Sequence, residues 1–202
     1  MNRGRSRSRT LCAAMALAAG CSSPSNAPAK SGIIPTYDRT TGKLKELAYD
    51  SNHNGKPDTW TDMDGTRPVS TRIDADQDGK PDRWEYYDQQ SKLVKVGVSR
   101  HHDGKPDSWA FAGPDGQTNR IEISSTEDEK KIDRWEHYDG AGLTAAEEDT
   151  NRDAVVDKWE TYEASVIRTV AFDENADGRP DRRLTYAAGS LVSIESDPDT
   201  AG

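Results

Sequence analysis

What the chain lacks narrows it first. It has two cysteines in 202 residues, Cys12 and Cys21, both near its start. The remainder therefore has no disulfide and no thiolate metal site. Apolar residues are scarce, 32% against 31% charged, and the mean hydropathy is −0.96. In such a chain burial barely offsets conformational entropy, so either part of it is disordered or something besides an oily core holds it. Bound metal ions would serve. The one apolar stretch, Leu11 to Ala19, is too short to cross a bilayer. Positive charge is short too: 27 Lys and Arg face 36 Asp and Glu, for a formal net charge of −9. That balance argues against nucleic acid as a partner. No His-Glu-x-x-His, no Gly-x-Ser-x-Gly and no phosphate-binding loop occurs, so no enzyme activity is expected.

The first twenty residues read as a removable export signal. Arg3, Arg5, Arg7 and Arg9 form a basic head, and the Leu11 to Ala19 stretch follows. Leu17-Ala-Ala-Gly20-Cys21 then resembles a bacterial lipobox. That resemblance implies lipidation at Cys21, with the chain anchored in the bacterial cell envelope. Ser22 next to the cysteine resembles the outer-membrane-sorted class. Loss of residues 1–20 removes four arginines and no acids, taking the net charge from −9 to −13. Residues 21–35 comprise Cys21 and, from Ser22 to about Pro35, a stretch rich in Ser, Pro, Ala and Asn that reads as a flexible tether. Fourteen such residues span roughly 20 Å root-mean-square.

Residues 36–202 are built on a repeat. Gly55, Gly79, Gly104 and Gly178 mark one slot, which Lys130 and Ala154 fill in two degenerate copies, at steps of 24 to 26 residues. Trp60, Trp84, Trp109, Trp135 and Trp159 keep the same beat. A fixed period of this size marks a repeat array. Each unit runs from a Tyr into a turn, then an aliphatic residue, then an acidic loop. Short segments rich in Trp, Tyr, Val, Ile and Thr predict strands. Gly42, Gly65, Gly116, Gly142 and Gly189 predict hairpin turns between them. The alternation of Val94, Val96 and Val98 suits a sheet with one buried face. The expected fold is all-β: an elongated array of about seven antiparallel hairpins, the first and last incomplete, with acidic loops along one edge. A helix over Leu143-Thr-Ala-Ala-Glu-Glu is the local rival. The tryptophans read as packing mass rather than a sugar platform.

The loops carry the chemistry. Asp, Asx and Asp at alternate positions, then Gly, then Asp at the ninth, curl short carboxylates onto one point. Such hard oxygen sets suit Ca²⁺, which takes six to eight oxygens. The second copy is the best: Asp74, Asp76, Asp78 and Asp82, with Glu85 at a twelfth position. The sixth has Asp173, Asn175, Asp177 and Asp181, and the first has Asp50, Asn52, Asn54 and Asp58. The fifth has Asp149, Asn151, Asp153 and Asp157, but Ala154 replaces the glycine. The third, with Ser99, His101, Asp103 and Asp107, is too poor for tight binding. The fourth, with Glu127, Glu129, Lys130 and Asp133, is expected to be empty. His101 and His102 read as a solvated loop.

The nine-residue pattern resembles the start of an EF-hand loop, the calcium loops of FG-GAP repeats and those of thrombospondin type 3 repeats. The resemblance implies calcium as the ion but covers only the loops. A 24-residue period leaves about twelve residues for two EF-hand helices, too few for stable ones. Calcium would stabilise the array, which would present a surface to an unknown protein or glycan partner. Two alternatives stay open: a glycan-binding or enzyme-accessory module using the Trp and Tyr rows, and an EF-hand-like calcium sensor.

Overall fold

The computed structural model describes residues 32–126 and 131–196. Cys21, the export signal, most of the tether, Glu127, Glu129 and Lys130 lie outside the described residues. Fourteen strands follow one another in seven hairpins. They are β1 (Ile33–Tyr37) with β2 (Leu44–Tyr49), β3 (Thr59–Asp64) with β4 (Arg67–Ile73), and β5 (Arg83–Tyr87) with β6 (Leu93–Val98). Next come β7 (Ser108–Ala112) with β8 (Thr118–Ile123), and β9 (Arg134–Asp139) with β10 (Gly142–Glu148). The last are β11 (Lys158–Glu163) with β12 (Val166–Phe172), and β13 (Arg182–Ala187) with β14 (Ser190–Ser196). All pair antiparallel in sequence order as one open sheet. Among the described residues there is no helix, so the paired helices of an EF-hand sensor are not there.

The expected hairpins are present, with three differences. The first and last hairpins both have two strands. β1 begins at Ile33, inside the stretch read as tether. Leu143 to Glu148 forms β10 rather than a helix, because its pairing with β9 and β11 decides where propensity does not. Each hairpin carries a register shift near its turn, such as Asp62/Met63 and Tyr86/Tyr87. Such bulges add right-handed twist.

The expectation of one buried face fails. Each strand contacts only its sequence neighbours, so the sheet is a single layer. The valines that suggested a core face are not in one: Val98 is 37% exposed. Few apolar side chains are buried, and they are small ones such as Ala48, Ala146, Val170 and Ala171. Packing is instead lateral. Trp60, Arg72, Trp84, Gly97, Trp109, Glu122, Trp135, Glu147 and Trp159 stand directly opposite one another across β3 to β11 and so share one face. All five tryptophans are half-buried. Trp109 lies over Gly97, where an added Cβ would come within 2.5 Å of its ring. Lys95 covers the same ring, its Nζ 3.7 Å from the centroid. Tryptophan thus packs by lying across a neighbouring strand, and it is less buried than a two-layer core would make it.

The other face holds a charged lattice. Arg134 bonds to Glu136 at 2.9 Å, Glu148 at 3.0 Å and Glu160 at 2.9 Å. Lys158 bonds to Glu148 at 2.9 Å and Glu160 at 2.8 Å. Tyr138 and Tyr162 donate their hydroxyls to Glu136 and Glu160. Burial and the Glu136 hydrogen bond push the Tyr138 phenol up to about 12.

The meander sends all tight turns to one end of the strands and all acidic loops to the other. The loops thus form a row in which the edge residues are buried and the residues between them are mostly exposed. Asp50, Asp58, Asp74, Ser99, Asp107, Ser124, Asp133, Asp149 and Asp173 are all buried.

Candidate metal centre

Loops 1, 2, 5 and 6 are each folded around their own backbone N–H groups. The first Asp accepts from the glycine slot: Gly55 to Asp50 at 2.7 Å, Gly79 to Asp74 at 3.0 Å and Gly178 to Asp173 at 2.8 Å. Ala154 makes the same bond to Asp149 at 2.8 Å, with φ of 72°, so the fifth loop closes without glycine. The third position accepts from the fifth: Asn52 from Asn54 at 3.0 Å, Asp76 from Asp78 at 3.1 Å, Asn151 from Asp153 at 2.9 Å and Asn175 from Asp177 at 2.8 Å. The ninth accepts from the second: Asp58 from Ser51 at 3.0 Å, Asp82 from Ala75 at 2.7 Å, Asp157 from Thr150 at 3.0 Å, and Asp181 from Glu174. Burial pushes the Asp58 carboxyl up, but hydrogen bonds from Ser51 and Thr59 outweigh it and hold it below the usual range. These bonds explain the regular spacing without any ion.

Loop 2 is the exception. Asp50 and Asp173 each have both oxygens paired to backbone N–H groups. In loop 2 the Asp78 N–H goes to Asp76 instead, and Asp74 Oδ1 is left buried with no hydrogen-bond partner. Asp74 is only 5% exposed. A buried carboxylate oxygen without a partner is costly. Asp74, Asp76 and Asp78 each bring one oxygen to within 4.8 Å of the others. Like charges at 4 Å repel by about 1 kcal/mol in water and about 4 kcal/mol at a protein surface's effective dielectric. The arrangement could hold a cation. A hollow of about 360 Å³ opens beside it, with Asp58, Asp74 and Asp78 on its wall.

The other assigned residues fare differently. Glu85 does not reach the loop. It stands on β5, on the face opposite Trp84, where it accepts from Arg83 Nε at 2.8 Å and the Tyr87 hydroxyl at 2.6 Å. Strand alternation puts it there, whereas a helix after the loop would have turned it inward. In loop 6 the Asn175 amide nitrogen points at Asp181, at 2.8 Å. In loop 1 the Asn54 amide donates to Gln77 at 2.8 Å. The degenerate loops carry guanidinium against their last Asp: Arg100 on Asp107 at 3.0 Å and Arg152 on Asp133 at 3.5 Å.

The histidines depart most from expectation. His101 Nδ1 contacts Asp107. His102 Nδ1 reaches back to Asp76 Oδ2 at 2.9 Å and Asp82 Oδ1 at 3.1 Å. Its bonds to Asp82 and Asp76 raise its pKa above the ordinary value. Asp76, Asp82 and His102 form the second converged group among the described residues. The signal was in the register. His102 holds the fourth loop position, as do Gln77 and Arg152, and all three have positive φ (54°, 63° and 63°). At that position each side chain contacts the preceding loop.

No protein-family model matches this chain, and no curated protein is significantly similar to it.

Proposed function

We propose that this chain is an exported, lipid-anchored protein of the bacterial cell envelope whose acidic loops bind calcium. The lipid on Cys21 holds it at the outer membrane. The ion stabilises a single-layer sheet that presents an extended surface to a protein or glycan partner. The observation that carries the reading is Asp74 Oδ1, buried, unpartnered and beside two further carboxylates. Calcium supplies there what the backbone does not. Its flexible shell of oxygens suits a loop of Asp and Asn with backbone carbonyls in reach. Loop 2 is the first site to fill. Loops 1, 5 and 6 are weaker, since their first Asp is already satisfied by N–H groups.

Calorimetric titration of the full chain with calcium tests this. Asp74→Ala should lower the stoichiometry by about one ion. Absence of calcium heat in the unaltered chain would overturn the reading.

A further inference from the structure

The Asp76–Asp82–His102 group differs in kind from the carboxylate loops. It spans two of them: Asp76 and Asp82 belong to loop 2, and His102 to loop 3. It also offers a nitrogen. We infer that loop 2 and His102 together form a site for a borderline transition ion of the zinc class, and that this ion ties loops 2 and 3 together.

Donor chemistry comes first. Calcium and magnesium are hard and take oxygen. Imidazole suits Zn²⁺, Cu²⁺, Ni²⁺ and iron. Geometry comes second. Zinc-class bonds of about 2.0–2.2 Å place neighbouring donors about 3.0–3.5 Å apart. The His102 nitrogen lies 2.9 Å from one carboxylate oxygen and 3.1 Å from the other. Small movements therefore admit the ion. Access comes third: the side chains of His102 and Asp76 are 60% and 41% exposed, so water can complete the shell.

The neighbouring loops give the comparison. The fourth-position residue contacts the preceding loop in each of three cases. At Gln77 it brings an amide and at Arg152 a fixed positive charge. Of these three, only His102 brings a metal ligand; His53, at the same position, belongs to the first loop and has no loop before it. Asp74 Oδ1, buried and unpartnered in the same loop, is an independent sign that loop 2 is short of a cation. The inference rests on the reading of loop 2 as a cation site, and it names a second class of ion there.

The test titrates the full chain separately with Zn²⁺ and Ca²⁺, comparing it with His102→Gln and Asp74→Asn. Gln is chosen because Gln77 already occupies the equivalent backbone position at φ 63°, so the loop keeps its shape. Zinc at one equivalent should shift the NMR signals of the His102 ring. His102→Gln should weaken zinc about tenfold or more and leave calcium within about twofold. Asp74→Asn should weaken calcium more than zinc. Coincident zinc isotherms for His102→Gln and the unaltered chain would overturn the inference, as would zinc shifting a different histidine. If zinc binds through His102 while calcium gives no heat, this inference stands and the calcium reading falls. If neither ion binds, both fall.

Discussion

The backbone N–H of Asp74 donates to the carbonyl of Asp58 across 2.8 Å, joining the first residue of one acidic loop to the last residue of the loop before. The bond recurs from Ser99 to Asp82, Ser124 to Asp107, Asp149 to Asp133 and Asp173 to Asp157. The loops thus extend the sheet by one rung beyond the strands. A cation held by Asp74, as proposed, would act on that rung directly and so couple metal to fold in a sheet without a second layer.

Asp74→Asn should have opposite effects with and without calcium. In chelator it removes a buried charge whose Oδ1 has no partner, while the amide oxygen can still accept from Gly79. Stability should rise by about 1 kcal/mol. In millimolar calcium the variant loses a ligand and should gain less from the ion than the unaltered chain. Thermal melts in both buffers check this. The same rise in each would mean that Oδ1 is no ligand.

Ala154 and Gly178 occupy the same slot with opposite residues. Ala154 sits at φ 72° and Gly178 at φ 86°, with no atom within 4 Å of the Cβ that would be added at Gly178. A left-handed backbone costs an L-residue about 1–2 kcal/mol. Ala154→Gly should therefore stabilise by roughly 0.5–1 kcal/mol after the unfolded chain's added freedom is subtracted. Gly178→Ala, the reverse change, should by the same subtraction destabilise by roughly 0.5–1 kcal/mol. Urea midpoints of the two variants should move in opposite directions.

Much of this was legible in the sequence. The period of Gly55, Gly79 and Gly104 and the hairpin glycines located the loops and strands. The acidic cluster of loop 2 is legible because Asp74, Asp76 and Asp78 are all acids, and their oxygens do converge. Three things were not. Glu85 fits the twelfth position of a loop whose following segment is helical, and here a strand turns it away. His102 has no ligating partner among its sequence neighbours, because its partners Asp76 and Asp82 lie one repeat back. The single layer was hidden because alternation in Val94, Val96 and Val98 reads alike in any half-buried strand. The scarcity of aliphatic residues was the better guide.

The Arg134 lattice predicts an acid limit. Burial pushes the Glu160 carboxyl up, but bonds from Lys158, Tyr162 and Arg134 outweigh it and hold it below its ordinary 4.5. A depressed carboxyl stabilises the fold above its unfolded pKa, and that contribution fades as pH falls through the folded value. Stability should thus decline as pH drops below about 4.5. Glu160→Gln should flatten that decline. Arg134→Met leaves carboxylates facing one another and should cost about 2–3 kcal/mol at neutral pH, read from urea unfolding.

Cys21→Ala should release the protein from the membrane fraction once the signal is cleaved. A cleaved variant that still sediments with membranes would contradict lipid anchoring at this residue.

The most direct test is the melting temperature of the full chain in millimolar calcium against the same buffer with chelator. Sites with Kd of roughly 10⁻⁴–10⁻³ M contribute about 0.4–1.4 kcal/mol each at that concentration. Several such loops should raise the melt by several degrees, reversibly, and magnesium should do less. An identical melt with calcium and with chelator would contradict the account: the acidic loops would then be turns closed by their own backbone, and the sheet would stand without metal.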